Sequence, residues 1–233
     1  MPYRRLPNTD KARIRSLEKA VRKTKENDYY VPIIAPELLV RAEKTLVTFK
    51  EANSKYINCL EKQMEFSRSG IYQTRLKIAR MYVSHFITVF NLCIKRGEFK
   101  TTDRIYYSMT ENQSELPDLS SDISVLRWCE NIIRGESTRT SKGGVPIYNP
   151  TVAKVAVHYE LFEALYNRRC ELKKLSENYL VAVAALRPRI DAVILDVWNS
   201  IESYFANLSG DTRLNACREY GLIYYYRSSE KSH

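Results

Sequence analysis

The sequence predicts an all-α protein: a four-helix bundle made of two duplicated long antiparallel helix hairpins, with a helical crossover insert and a short C-terminal strand. Three observations lead there. Only 7 glycines and 8 prolines occur in 233 residues, too few breakers for a many-turned β fold. Hydrophobic residues make up 44% and charged residues 27%, the balance of a globular chain rather than a disordered one. Long stretches carry apolar residues at alternating spacings of three and four, the signature of helices that bury one stripe.

The first helix is expected from about Thr9 to Glu26. Asn8 or Thr9 can cap it, and Asp10 places negative charge where the helix dipole favours it. Its apolar line is thin: Ile14, Leu17 and Val21. The second helix starts at Pro36, where a missing N–H costs nothing, and runs to about Arg68. Leu39, Ala42, Leu46, Phe49, Asn53, Tyr56 and Leu60 form its seam, with Asn53 as the one clear polar intrusion. Ser69-Gly70 is a stop. The next helix reaches about Arg96 and carries Leu76, Ala79, Val83, Phe86, Phe90 and Cys93. Two seams joined by a short turn predict an αα-hairpin.

Residues 98–144 read as an elaborated crossover with one modest helix around Val125–Ile133, broken in front by Pro117 and behind by Ser137–Gly144. Val145-Pro146-Ile147 and Pro150 then repeat Val31-Pro32-Ile33 and Pro36 at a constant offset. Val197, Ile201 and Tyr204 match Val83, Ile87 and Phe90 at the same offset. This predicts a diverged internal duplication of the hairpin. The second turn is weakly marked, because Ala182 to Leu186 lacks glycine and only Pro188 breaks the pattern. A turn and a kinked continuous helix both fit. The turn is preferred, because a continuous helix would run to roughly 90 Å at about 1.5 Å per residue and deny the first hairpin a compact partner. After a short helix near Thr212–Tyr220, Leu222–Tyr226 reads as a strand. Ile105–Tyr107 is its expected partner and Tyr29–Val31 the second choice.

The expected organisation is thus a basic N-terminal helix (1–30), a first hairpin (31–97), the insert (98–144), a second hairpin (145–209) and a tail (210–233), together one structural domain. No signal-peptide pattern and no apolar run of membrane-spanning length is seen. The five cysteines form no C-x-x-C pair. A cytoplasmic protein with buried, reduced thiols is expected.

Enzymatic signatures are missing. A di-iron bundle needs Glu-x-x-His on two helices, but Tyr82 and Val155 stand three before His85 and His158. Zinc spacings, phosphate-binding glycine loops and nucleophile elbows do not occur. His85 and His158 flank packed seams, and His233 is the last residue. Cys93 and Cys170 lie on apolar seams, as small buried hydrophobes do. No catalytic residue, cofactor, metal or small-molecule substrate is assigned, and a non-enzymatic scaffold or interaction protein, with a protein partner or self-association, is the expectation.

Two features bear on partners. Net charge is +10, and residues 1–25 hold nine cations against Asp10 and Glu18. Arg4, Arg5, Lys11, Arg13, Arg15, Lys19, Arg22 and Lys23 could track a nucleic-acid backbone or lie on an anionic membrane surface. The alternative is a solvated helix docked through Ile14, Leu17 and Val21. Tyr106, Tyr107, Tyr224, Tyr225, Tyr226 and Arg227 could form a tyrosine-rich interface if exposed together.

The opening Met-Pro-Tyr-Arg-Arg-Leu-Pro-Asn-Thr-Asp, and the ending Cys217-Arg218-Glu219-Tyr220-Gly221 with Tyr224–Arg227, resemble a group of uncharacterised helical-bundle proteins of Bacteroidales bacteria. The resemblance implies a helical fold and carries no activity or site residue.

Overall fold

The computed structural model describes residues 3–26 and 32–226. Tyr29, Tyr30, Val31, Arg227 and His233 lie outside them. Among the described residues the chain is all-α apart from one two-stranded ribbon. In order come β1 (Tyr3–Arg4), α1 (Asp10–Glu26), α2 (Pro36–Arg68), α3 (Gly70–Lys95), a 3-10 turn (Thr101–Tyr107), α4 (Asp122–Ser141), α5 (Val152–Tyr204), α6 (Gly210–Glu219) and β2 (Tyr224–Tyr225). By packing, the chain divides into two compact units, residues 1–59 with 175–233 and residues 60–174. The boundaries fall inside α2 and α5 rather than between the segments expected from the sequence.

In the first unit, Thr9 caps α1, its Oγ1 accepting from the Ala12 N–H at 3.2 Å. Leu17, Ala20 and Val21 are buried with Ala42, Leu46 and Phe49 of α2 and with Val183, Ile190, Val197 and Trp198 of α5. Cys217, Tyr220 and Leu222 close the same core from the tail. Gly221 is required there. At φ +91° it lies under α1, and a Cβ would sit 2.8 Å from the Ser16 carbonyl oxygen. The ribbon corrects the expected pairing. β2 pairs antiparallel with β1, Tyr3 opposite Tyr225 and Arg4 opposite Tyr224. Ile105–Tyr107 cannot partner it, because those residues coil into the 3-10 turn.

In the second unit, the α3 seam (Leu76, Ala79, Val83, Phe86, Phe90) packs with Val125, Cys129 and Ile132 of α4 and with Val155 and Phe162 of α5. Ser69 ends α2 and caps α3, its hydroxyl accepting from the Tyr72 N–H at 3.3 Å. The α2 and α3 seams are therefore buried in separate cores and not against each other, as the expected hairpin required.

The turn expected between 182 and 188 does not form. α5 is a single helix of 53 residues with Pro188 inside it. Proline deletes one ladder hydrogen bond and crowds the carbonyl four residues back, a cost of about 3 kcal/mol. Tertiary structure offsets it. Val183, Ile190, Val193, Ile194 and Val197 keep a buried stripe on both sides of the proline. α1 also splints it: the Arg187 guanidinium donates to both Asp10 oxygens at 2.9 and 2.8 Å, and Arg13 to both Asp191 oxygens at 2.8 and 2.9 Å. These bidentate pairs straddle residue 188.

Candidate functional site

Most of the basic N-terminal segment is engaged within its own unit. Arg4 pairs with Glu202 at 2.9 Å and donates to Asn199 at 2.5 Å. Arg13 is held by Asp191 and Asp10. Lys19 donates to the Arg218 carbonyl at 2.9 Å. Arg22 faces Glu26 at 3.6 Å, Lys23 faces Glu219 at 3.6 Å, and Lys25 meets Glu43 at 2.6 Å. Arg5, Lys11 and Arg15 are exposed and make no side-chain hydrogen bond or ion pair among the described residues. Sequence charge could not reveal most of this, because Glu202, Asp191, Glu219 and Glu43 come from distant segments.

The tyrosine set is divided between the two units. Tyr106 and Tyr107 belong to one unit, Tyr224 to Tyr226 to the other. Tyr107 is buried, its hydroxyl donating to Glu136, and is no interface residue. Tyr106 is half-buried, with the Lys142 ammonium 4.8 Å from its ring centre. Tyr224 donates to Glu202 at 2.7 Å. Tyr225 and Tyr226 remain exposed.

Two polar networks escaped the sequence reading. In the first, Glu136 and Arg139 are 1% and 3% exposed. Arg139 donates to Glu136 at 2.9–3.1 Å and to the Val145 carbonyl at 2.7 Å, and its guanidinium lies 4.0 Å over the Phe99 ring. The Ile147 N–H donates to Glu136 at 2.8 Å. Burial, then the bond to Glu136, pushes the Tyr107 phenol well above its ordinary range. Gly135 lets the 3-10 turn approach, since a Cβ there would meet the Tyr107 ring at 2.6 Å and the Tyr106 carbonyl oxygen at 2.7 Å. With its charges sealed and paired, this cluster can pin the insert but offers no group to a substrate.

The second network borders an open cleft of about 370 Å³ lined by Asp122, Ile123, Tyr166, Arg169, Cys170 and Lys173. Arg169 pairs with Asp122, and the Tyr72 hydroxyl donates to Asp122 at 2.6 Å while accepting from Arg169 at 3.1 Å. Burial, followed by the bond to Asp122, raises the Tyr72 phenol to about 12. The charges in this cleft are likewise turned on one another.

Cys170 is exposed, against expectation; the other four thiols are buried. The α5 seam continues from Phe162 and Tyr166 through Arg169, and Cys170 lies about 100° around the helix from Arg169. Burial pushes the Cys129 thiol up to about 12 and raises those of Cys93 and Cys217. A thiol reagent at pH 8 should therefore modify one cysteine quickly and all five only after unfolding. Cys170→Ser should abolish the fast phase, and a second fast thiol in the native protein would contradict the burial.

His158 stacks on Tyr82, ring centres 4.4 Å apart, and its Nδ1 has no hydrogen-bond partner. Its pKa is lowered, first by burial and then by Arg75. His85 is exposed. Among the described residues no group of three or more His, Cys, Asp or Glu side chains could hold a metal ion, and no helix is long and apolar enough to cross a membrane.

The second unit also carries an accessible apolar face. α3 carries a second stripe at heptad spacing, away from the core: Ile71, Ile78, Met81 and Leu92, interleaved with Thr74, His85 and Thr88. Ile71, Met81 and Leu92 are 70%, 49% and 41% exposed. The Tyr82–His158 stack joins this face to α5, where Val157 and Leu161 are 53% and 41% exposed. The seven stripe residues on α3 include no Lys, Arg, Asp or Glu.

Fold and surface together define an all-α protein with paired internal charges and an uncovered apolar helix face. No protein-family model matches the chain, and no significant match was found among curated proteins or solved structures.

Proposed function

We propose that the protein is a non-enzymatic helical interaction protein that binds other proteins through its second unit. The observation that carries this is the α3–α5 face, where large apolar side chains stand in solvent next to a fully packed core. An apolar face of this kind beside charged neighbours is typical of an interaction surface. The polar clusters support the same reading, since their ionisable groups are spent on internal partners. Nucleic-acid binding through the basic N-terminal segment has less support, because six of its nine cations are engaged.

The two units read as diverged copies of one element. Ile33 and Ile147, from the repeated Val-Pro-Ile segments, are 4% and 5% exposed. Leu76, Ala79, Val83 and Ile87 of α3 match Ile190, Val193, Val197 and Ile201 of α5 at that offset, and all eight are buried. A duplicated core beneath a face kept apolar in one copy fits a scaffold that gained a binding surface.

Photo-crosslinking in the host cell tests the function. A benzophenone amino acid at Val157 or Leu161 should give a discrete adduct with another protein. The same probe at exposed Lys55 in the first unit should not. Absence of an adduct at both α5 positions would remove the reading.

A further inference from the structure

The charges around the exposed face select among occupants. α3 contains no Asp or Glu from Gly70 to Lys95, and carries Arg75, Lys77, Arg80 and Lys95. Arg75 stands close enough to His158 to lower its pKa, so a guanidinium lies beside the junction of α3 and α5. Lys77, Lys154 and Arg168 are exposed on the same two helices. The acids of this stretch of α5 are largely turned elsewhere. Glu163 accepts from Tyr159 at 2.5 Å, and Glu171 pairs with Arg168 at 2.9 Å. Glu160 is exposed about 60° around the helix from Val157, so the α5 edge of the face carries one acid. The face is therefore apolar along its middle and basic at its margins.

The α3 stripe has the register of a helix-packing seam. The α3 stripe spans Ile71 to Leu92 in heptad register, six turns long. Val157 and Leu161 lie one turn apart on α5, across the Tyr82–His158 contact. A stripe in heptad register accepts the apolar stripe of another helix by knobs-into-holes packing. A second copy of this face would bring Arg75, Lys77 and Lys154 against themselves, which opposes self-pairing.

We infer that the exposed α3–α5 face binds an amphipathic helix of a partner protein whose apolar stripe is flanked by Glu or Asp. This rests on the interaction reading above and adds the chemistry of the partner. Helix recognition of this kind supplies affinity through the apolar anchors, and opposite charge at the rim supplies selection.

The test uses the full chain and two synthetic helical peptides, each three heptads long. Both carry Leu at the a and d positions. One has Glu and the other Lys at e and g. Fluorescence anisotropy at low salt should show the Glu peptide binding about tenfold or more tighter than the Lys peptide, with the difference shrinking as salt is added. Ile71→Glu with Met81→Glu should weaken the Glu peptide about tenfold or more. Both positions are exposed, so an unchanged helical circular dichroism spectrum and melting curve should accompany the loss. Equal affinity for the two peptides, or binding indifferent to the double substitution, overturns the proposal. So does binding to phosphatidylglycerol vesicles without binding to the Glu peptide, or a dimer in light scattering that the substitution dissolves. A crosslinked adduct at Val157 together with no Glu-peptide binding would overturn this partner chemistry and leave the interaction function standing.

Discussion

Replacing Glu136 by alanine should lower the stability of the protein by about 3–5 kcal/mol, read as a fall in the urea midpoint. The carboxylate accepts from Arg139, from the Tyr107 hydroxyl and from the Ile147 N–H. Its removal leaves a guanidinium that is 3% exposed without its counter-charge, and two further donors without acceptors. The desolvation cost of those groups was incurred on folding and is no longer offset. Arg139→Ala should cost a similar amount by stranding the carboxylate. The double variant Glu136→Leu with Arg139→Met should recover much of the loss, since both charges are gone and the volume is kept. A loss under about 1 kcal/mol for Glu136→Ala would mean that water reaches the site and that the cluster does not hold the insert.

That cluster also marks where the sequence stopped being readable. The seams of α2 and α3, the Thr9 cap and the Ser69 stop were legible because they are local: spacing and capping chemistry act within a turn or two. The end of α4 was not. Ser137 through Gly144 looks like a break, yet α4 continues to Ser141. Thr138, Thr140 and Ser141 turn their hydroxyls back onto the helix, to the carbonyls of Arg134, Glu136 and Thr138 at 2.7–2.8 Å, and Arg139 buries its charge on Glu136. Residues with poor intrinsic propensity are held helical by a tertiary contact that no window of sequence contains. Pro188 is the same case. It is a reliable breaker in isolation, but ion pairs from α1 and an uninterrupted apolar stripe carry the helix past it.

The candidate surface was half legible for a related reason. The uncharged heptad stripe from Ile71 to Leu92 stands in the sequence beside the inward seam of the same helix. Periodicity alone cannot say which of two stripes is covered. Charge was legible in amount and misleading in availability, because Glu202, Asp191 and Glu219 reach the N-terminal cations from remote positions.

Two substitutions on α5 should separate the cores that share this helix. Phe162→Ala removes a fully buried ring from the second unit, and Trp198→Ala removes a ring 1% exposed from the first. Each should cost about 3–5 kcal/mol, the lost transfer energy plus the cavity left behind. Phe162 loses its edge contact with Tyr72, ring centres 5.6 Å apart. Trp198 has no hydrogen bond to lose, because its indole N–H lacks a partner. Its cost is packing alone. Native-state amide exchange should show where the loss falls. With Phe162→Ala, protection should drop within residues 60–174. With Trp198→Ala, it should drop within 1–59 and 175–233. The shared helix sharpens the test. If the ladder of α5 carried the cooperativity, either substitution would deprotect Val155 and Val197 alike. If side-chain packing carries it, Val155 exchanges faster only with Phe162→Ala and Val197 only with Trp198→Ala. Packing should win, since helix hydrogen bonds without a buried face are marginal in water. Equal deprotection of both positions by either variant would mean that the two cores do not open independently.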